Sequence, residues 1–125
     1  MIPYDTSFFP AAPVLRVTLQ NTKGTAHKIA APMQIDTGAD LTIIPESAIA
    51  NLGLIAEGET DVQDYEGVVQ THLFFFVHLQ IDRWTIKNVR VIAHSGQIGI
   101  LGRNVLQGFT VTLRGKEQTF DIVDP

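Results

Sequence analysis

The stretch from Met33 to Pro45 constrains the fold of this chain more than any other part of its 125 residues. It reads MQIDTGADLTIIP, so an apolar segment leads into Asp36-Thr37-Gly38 and a second apolar segment follows at once. Gly38 permits a backbone bend that a residue with a Cβ would resist. Asp36 is then displayed at a rigid turn between buried strands, where a carboxylate is well placed to handle a proton. The triplet alone is also typical of an ordinary structural turn, and that alternative stays open at this point.

The composition indicates one globular domain over residues 1–125, because hydrophobic residues make up 45% and charged residues 18% of the chain. The net charge is −4 and the nine basic residues are scattered, which argues against nucleic acid or an anionic membrane as the main partner. Without cysteine the chain has no disulfide and no thiolate ligand or nucleophile. We see no signal peptide and no apolar run long enough to cross a bilayer, so we expect a soluble, cytoplasmic protein.

Alternating apolar and polar residues predict β-strands along most of the chain. The predicted strands are Val14 to Leu19, Ala26 to Ile35, a long hairpin over 57–81, Trp84 to Ala93, and a last hairpin over 109–123. In the long hairpin, the predicted buried face consists of Leu73, Phe75, Val77, Leu79 and Ile81. The sequence therefore predicts an all-β fold, a small closed barrel-like sheet.

Two short helices and a terminal arm complete the expected organisation. Pro45 to Gly53 reads as a helix with Pro45 in its first turn and Gly53 at its C-terminal cap, and Arg103 to Gln107 fits a second helix. Residues 1–13 contain three of the six prolines and predict an extended N-terminal arm.

A second motif follows the first at a distance of about sixty residues, where residues 97–106 read QIGILGRNVL. Asp-Thr-Gly-Ala-Asp followed at this distance by Ile-Leu-Gly-Arg-Asn-Val-Leu resembles the retropepsin family, the single-domain aspartic proteases of retroviral type. The resemblance runs from about Val14 to Phe109, and the free-standing members encoded by bacterial or cellular genes are the more similar ones. It implies that the hairpin over 57–81 is a flap that closes over substrate, with Tyr65 and Gly67 near its tip.

The resemblance implies aspartic endopeptidase chemistry, in which two carboxylates about 3 Å apart share one proton. This chain contains only one Asp-Thr-Gly. Two equivalent aspartates therefore require two chains, and we expect a symmetric homodimer with Asp36 of each subunit on the twofold axis. The substrate would be a peptide or protein, with bulky hydrophobic residues around the scissile bond.

Further roles come from the family residue by residue. Thr37 and Gly38 match positions that brace the turn, and the Thr37 hydroxyl is expected to bond across the dimer. Asp40 and Arg103 match a pair that forms a salt bridge beside the cleft. Five apolar residues match positions that line substrate pockets, although some of them are expected to be plain core: Ala39, Leu41, Ile43, Ile98 and Ile100. No cofactor is expected, and no metal site, because the four histidines lack metal-ligand spacing.

Three alternatives remain open from the sequence. The chain could be a catalytically silent dimerisation or peptide-binding module with the same fold. It could also be a monomer that takes its second aspartate from a different protein. Finally, Ser7-Phe8-Phe9-Pro10-Ala11 is similar to the sites at which family members cut themselves free, so self-cleavage between Phe9 and Pro10 is a hypothesis.

Overall fold

Ten β-strands and two short helices are found in residues 1–24 and 26–124, the part of the chain that the computed structural model describes. The strands are β1 (Ile2–Pro3), β2 (Val14–Asn21), β3 (Lys28–Ile35), β4 (Thr42–Pro45), β5 (Gly58–Gln63), β6 (Val69–Ile81), β7 (Trp84–His94), β8 (Gly99–Leu101), β9 (Thr110–Arg114) and β10 (Thr119–Val123). The helices are α1 (Glu46–Leu52) and α2 (Arg103–Leu106). The predicted all-β class with one or two short helices is confirmed, and both helices are present.

Six strands close into a barrel in the order β2-β3-β8-β4-β7-β6, and β6 pairs back onto β2. Most pairs are antiparallel, but β8 runs parallel to β3 and β7 runs parallel to β4. Closure removes the free edges that an open sheet would expose, which suits a chain of this size. The predicted closed barrel-like sheet is therefore confirmed.

The core of the barrel consists of the inward-facing residues of alternating strands. Val17, Leu19, Met33, Val77 and Leu79 are completely buried, as the period-two pattern predicts. On the predicted buried face of the long strand β6, all residues but one are buried; the exception is Leu73, which is 53% exposed. That part of the prediction is wrong because the first half of β6 extends beyond the barrel and pairs with β5 alone.

The long hairpin predicted over 57–81 is formed by β5 and β6, which pair from Gly58 opposite Phe74 to Gln63 opposite Val69. Its tip is a turn in which the Asp64 carboxylate accepts hydrogen bonds from the backbone N–H groups of Glu66 and Val68. Gly67 has a φ of 88°, which explains why glycine stands there. The hairpin therefore has the predicted tip, but it ends at Phe74, because the rest of β6 pairs with β7 and β2 in the barrel.

Both predicted helices exist, with small differences at their ends. Pro45 is the last residue of β4 and the N-cap of α1, one position before the first turn in which it was expected. Gly53 has the left-handed conformation expected of a C-terminal cap, with a φ of 62°. Helix α2 ends at Leu106, one residue before the predicted end.

The two ends of the chain meet in a separate three-stranded sheet with the order β1-β10-β9. The residues predicted as an extended arm therefore begin as a strand on β10 and then reverse, so that Asp5 bridges Ala12. Phe9 lies in this reversal and is fully exposed. Neither helix of the described residues is long and apolar enough to span a membrane.

Candidate active site

The Asp36 turn lies where two parallel strands end side by side. Ile35 of β3 pairs with Leu101 of β8, and the Asp36 N–H donates to the Leu101 carbonyl at 3.1 Å. The half-buried Asp36 carboxylate accepts a hydrogen bond from the Gly38 N–H at 2.8 Å. A Cβ on Gly38 would lie 3.1 Å from the same carboxylate oxygen, and Gly38 is not in the left-handed region. A side chain at position 38 would therefore have to displace the Asp36 carboxylate slightly, while the backbone there needs no left-handed conformation.

Arg103 ties the turn to the N-terminus of α2. Its backbone N–H donates to the Ala39 carbonyl and its guanidinium donates to the Thr37 carbonyl, each at 2.8 Å. The same guanidinium pairs with the Asp40 carboxylate, so the pair predicted from the sequence is present. An exposed ion pair alone contributes little. Together, the three contacts hold the backbone on both sides of Gly38.

A buried polar network below the turn was not found by sequence reasoning. Thr42 is fully buried, and the Asn104 side-chain oxygen accepts from its backbone N–H at 2.9 Å and from its hydroxyl at 2.8 Å. The Thr42 hydroxyl oxygen in turn accepts from the Gly102 N–H at 3.1 Å. In the sequence, Thr42 stands out only as a polar residue inside the apolar run LTIIP, and this pattern does not indicate which residue it bonds.

A cavity of about 320 Å³ opens beside the turn, between the turn and the β5–β6 hairpin. Residues from the turn and β4 form one wall, and β5 forms the other over Thr60 to Gln63. Of the predicted site residues, those that line it are Gly38, Ala39, Asp40, Leu41 and Ile43. Sequence reasoning missed the β5 wall and Ile92 of β7, because 57–64 reads as an acidic, polar segment and Ile92 as ordinary core.

The remaining predicted substrate-binding residues lie outside this cavity. Tyr65 is fully exposed at the hairpin tip, next to Gly67. Ile100 lies on β8 opposite Ile43, and half-buried Ile98 precedes that strand. The chain therefore brings together the turn, Arg103 and part of the predicted pocket, with Ile100 beside it, while Tyr65 and Gly67 lie at the hairpin tip and do not line the cavity.

A comparison with protein families gives a match to the family model described as aspartyl protease over residues 21–105. These residues are more than half of the chain and include the first motif and all of the second except its last residue, Leu106. The chain belongs to the aspartyl protease family. No curated protein matches this family member significantly in sequence.

Solved structures of retropepsin-like proteases have the same fold as this aspartyl protease family member. A retropepsin-like aspartic protease from Rickettsia conorii aligns over 98% of this chain and 88% of that chain, with a TM-score of 0.61 and 17% identity. The EIAV protease in complex with the inhibitor HBY-793 aligns over 77% and 86%, with a TM-score of 0.56 and 21% identity. The retroviral protease-like domain of Ddi1 from Leishmania major covers 88% of each chain, with a TM-score of 0.52 and 14% identity. The resemblance inferred from the two motifs is confirmed.

The acids and histidines of this family member form no metal cluster within residues 1–24 and 26–124, where no group of three or more could hold an ion. The Asp36 carboxylate accepts a hydrogen bond from the Gly38 N–H, and the cavity adjoins the same turn at Gly38 and Ala39. A lone carboxylate can take up or release a proton, but it cannot act as acid and base in the same step.

Proposed function

We propose that the protein is an aspartic endopeptidase that acts as a homodimer, with Asp36 of each chain forming the catalytic pair. Membership of the aspartyl protease family supports peptidase activity. The observation that carries the assignment is the position of Asp36, half-buried in a turn fixed by Arg103 and next to the cavity under the β5–β6 hairpin.

The need for a second chain comes from the number of acids at the turn. Asp40 is the other carboxylate of the segment, and it is paired with Arg103. The single Asp-Thr-Gly of the sequence leaves no equivalent partner for Asp36 within the chain. A twofold axis beside the turn would supply that partner from an identical chain. The exposed Thr37 side chain lies on the same turn, where a bond across the dimer is open to it.

In the proposed mechanism the two Asp36 carboxyl groups share one proton, because two charged carboxylates at about 3 Å repel strongly. The ionised member takes a proton from water as the water oxygen attacks the peptide carbonyl carbon. The protonated member donates its proton to the carbonyl oxygen. Collapse of the resulting diol breaks the carbon–nitrogen bond, and the amine leaves with a proton returned by the pair.

The substrate would bind as an extended peptide between the turn and the hairpin, adding a strand to the protein. Ala39, Leu41, Ile43 and Ile92 form the apolar part of the cavity wall, which suits hydrophobic side chains. Ile98 and Ile100 would complete the pockets in the dimer, while Tyr65 and Gly67 would close over the peptide as the hairpin moves. The cytoplasmic location remains a prediction from the sequence.

The test compares Asp36→Asn with the control Asp82→Asn, which changes an acid in the β6–β7 turn. Peptide libraries rich in hydrophobic residues are incubated with each protein between about pH 3 and 7, a range chosen around carboxylate titration. We expect Asp36→Asn to reduce cleavage by about 10²–10⁴-fold, as loss of an acid–base group does, and Asp82→Asn to cleave normally.

Sedimentation of the same samples separates the alternatives. A dimer for wild type and Asp36→Asn, with cleavage by wild type alone, supports the proposal. A dimer that cleaves nothing at any pH in the range indicates the silent module. Cleavage by a monomer contradicts the homodimeric pair.

A further inference from the structure

Arg90 of β7 lies at the base of the β5–β6 hairpin, where it contacts two aromatic rings. Its guanidinium carbon is 4.1 Å from the centroid of the Phe74 ring and 5.9 Å from that of Phe76. The two rings meet edge to face with centroids 5.6 Å apart. A cation over an aromatic face is held by the quadrupole of the ring, and the planar guanidinium stacks on it better than an ammonium does.

The Phe74 ring also lies against the first residue of β5. Phe74 pairs with Gly58, and a Cβ on Gly58 would be 2.7 Å from the ring. The ring therefore occupies the space that any side chain at position 58 would need. Through Phe74, Arg90 is connected to the point where the hairpin leaves the barrel.

These residues lie on the same face of the sheet as the cavity. Thr60 and Val62 of the cavity wall share a face of β5 with Gly58, because side chains alternate along a strand. On β7, Ile92 shares a face with Arg90 and pairs with Ile43 of β4. The contact between Arg90 and Phe74 therefore lies on the sheet face that lines the cavity, at the end of that face nearest the hairpin base.

The backbone of Arg90 is bonded to the opposite wall. Its carbonyl accepts a hydrogen bond from the Asn104 side chain at 2.9 Å. Asn104 also holds Thr42, the residue that follows Leu41 of the cavity. Arg90 therefore contacts the hairpin base with its side chain. Its backbone carbonyl contacts the Asn104–Thr42 network under the catalytic turn.

We propose that Arg90 is a positioning residue, which sets the distance of the β5 wall from the catalytic turn by holding Phe74 against Gly58. This role rests on the proposed peptidase function, because it concerns how the hairpin covers a bound peptide. Arg90 does not contact the Asp36 turn with its side chain, so it acts on substrate binding rather than on proton transfer.

Arg90→Gln removes the cation and keeps a polar side chain, while Arg90→Lys keeps the charge without the planar stack. The matched control is Arg83→Gln, since Arg83 stacks on Trp84 at 4.7 Å at the other end of the β6–β7 hairpin. Gly58→Ala displaces the Phe74 ring in a second way, because the added Cβ needs the space of the ring. Gly115→Ala is its control, since a Cβ there meets nothing within 4 Å. Each protein is studied by amide hydrogen exchange and by peptide cleavage kinetics.

We expect Arg90→Gln to speed exchange of residues 58–63 and 69–74 by about two- to fivefold, the range of an exposed cation–π contact. Exchange in β2 and β3 should not change, and Arg90→Lys should give a smaller effect. KM should rise by a similar factor while kcat stays the same. Gly58→Ala should act in the same direction, and both controls should match wild type.

Unchanged hairpin exchange in Arg90→Gln overturns the inference, and so does an increase spread equally over β2 and β3. A fall in kcat without a rise in KM also contradicts it. Failure of the proposed function looks different: wild type then cleaves no peptide, while the hairpin still exchanges faster in Arg90→Gln than in Arg83→Gln.

Discussion

At the scale of single residues, Thr42 shows how a polar group shapes the site without facing it. Its hydroxyl donates to Asn104 and accepts from Gly102, in a position with no exposure to solvent. A Cβ on Gly102 would lie 2.4 Å from the Leu41 carbonyl oxygen, so the backbones of the two motifs are in direct contact there. The Asp36 turn is therefore supported from below by backbone packing and by one hydroxyl.

Thr42→Val tests how much that hydroxyl contributes to the free energy of unfolding. Valine has nearly the same shape, but it leaves the Gly102 N–H without an acceptor, and a buried unsatisfied group costs about 1–3 kcal/mol. We expect the free energy of unfolding, measured by urea denaturation, to fall by about that amount. Thr42→Ser keeps the hydroxyl but loses a buried methyl group, so it measures the cost of lost packing alone; a valine variant as stable as wild type would contradict the role of the hydrogen bonds.

The residues of the turn were predictable from the sequence, but those of its support were not. Asp36, Asp40 and Arg103 stand in short motifs, and the expected contact between Asp40 and Arg103 is present. The partners Thr42 and Asn104 are 62 positions apart in the chain. Nothing in the local pattern pairs them, because a side-chain hydrogen bond between β4 and α2 depends on how the helix packs against the barrel.

At the scale of elements, the terminal sheet carries the clearest electrostatic feature of the described residues. Asp121 of β10 accepts from the Arg114 guanidinium of β9 at 2.5 Å, and the Met1 amino group lies 3.2 Å from its other oxygen. The hydrogen bond from Arg114, followed by that from the Met1 amino group, holds the pKa of Asp121 below its ordinary value. A lowered pKa means that the folded state favours the charged carboxylate.

The stabilisation by Asp121 should therefore depend on pH. It is fully present above the ordinary carboxyl pKa of 3.8 and is lost as the pH falls through the lower pKa of the folded state. We expect Asp121→Asn to unfold at lower urea concentration than wild type at pH 7, and the difference to close at about pH 2. Asp124→Asn is the control; a difference that persists unchanged in acid would show that the charge of Asp121 is not the cause.

Strand existence was predictable where one face of the strand is buried, as in β2 and the second half of β6, because burial on one side creates the alternating pattern. The pattern failed at Leu73, where the strand leaves the barrel and neither face has a core to cover. It also gave no sign that residues 1–13 would contribute a strand to β10, since two paired residues are too few to show a period.

At the scale of the whole molecule, the fold brings the two motifs to one end of the barrel by placing β3 and β8 side by side in parallel. The result is a carboxylate with a fixed backbone, an adjoining cavity and a hairpin over it. Homodimerisation is a prediction from chemistry: one acid at the turn is free of a cationic partner, and the reaction needs two. The single Asp-Thr-Gly can be read directly from the sequence. No motif in the sequence indicates which surfaces would join two chains.

We propose that each site needs Asp36 from two chains, and mixing experiments test this requirement most directly. Wild type and Asp36→Asn are unfolded together, refolded at constant total concentration, and assayed for peptide cleavage over a series of mixing ratios. If both carboxylates are required, activity follows the square of the wild-type fraction, and an equal mixture has about a quarter of the full activity, because only wild-type pairs are active. A linear decline, with about half of the activity in the equal mixture, would show that one Asp36 is sufficient and would contradict the shared site.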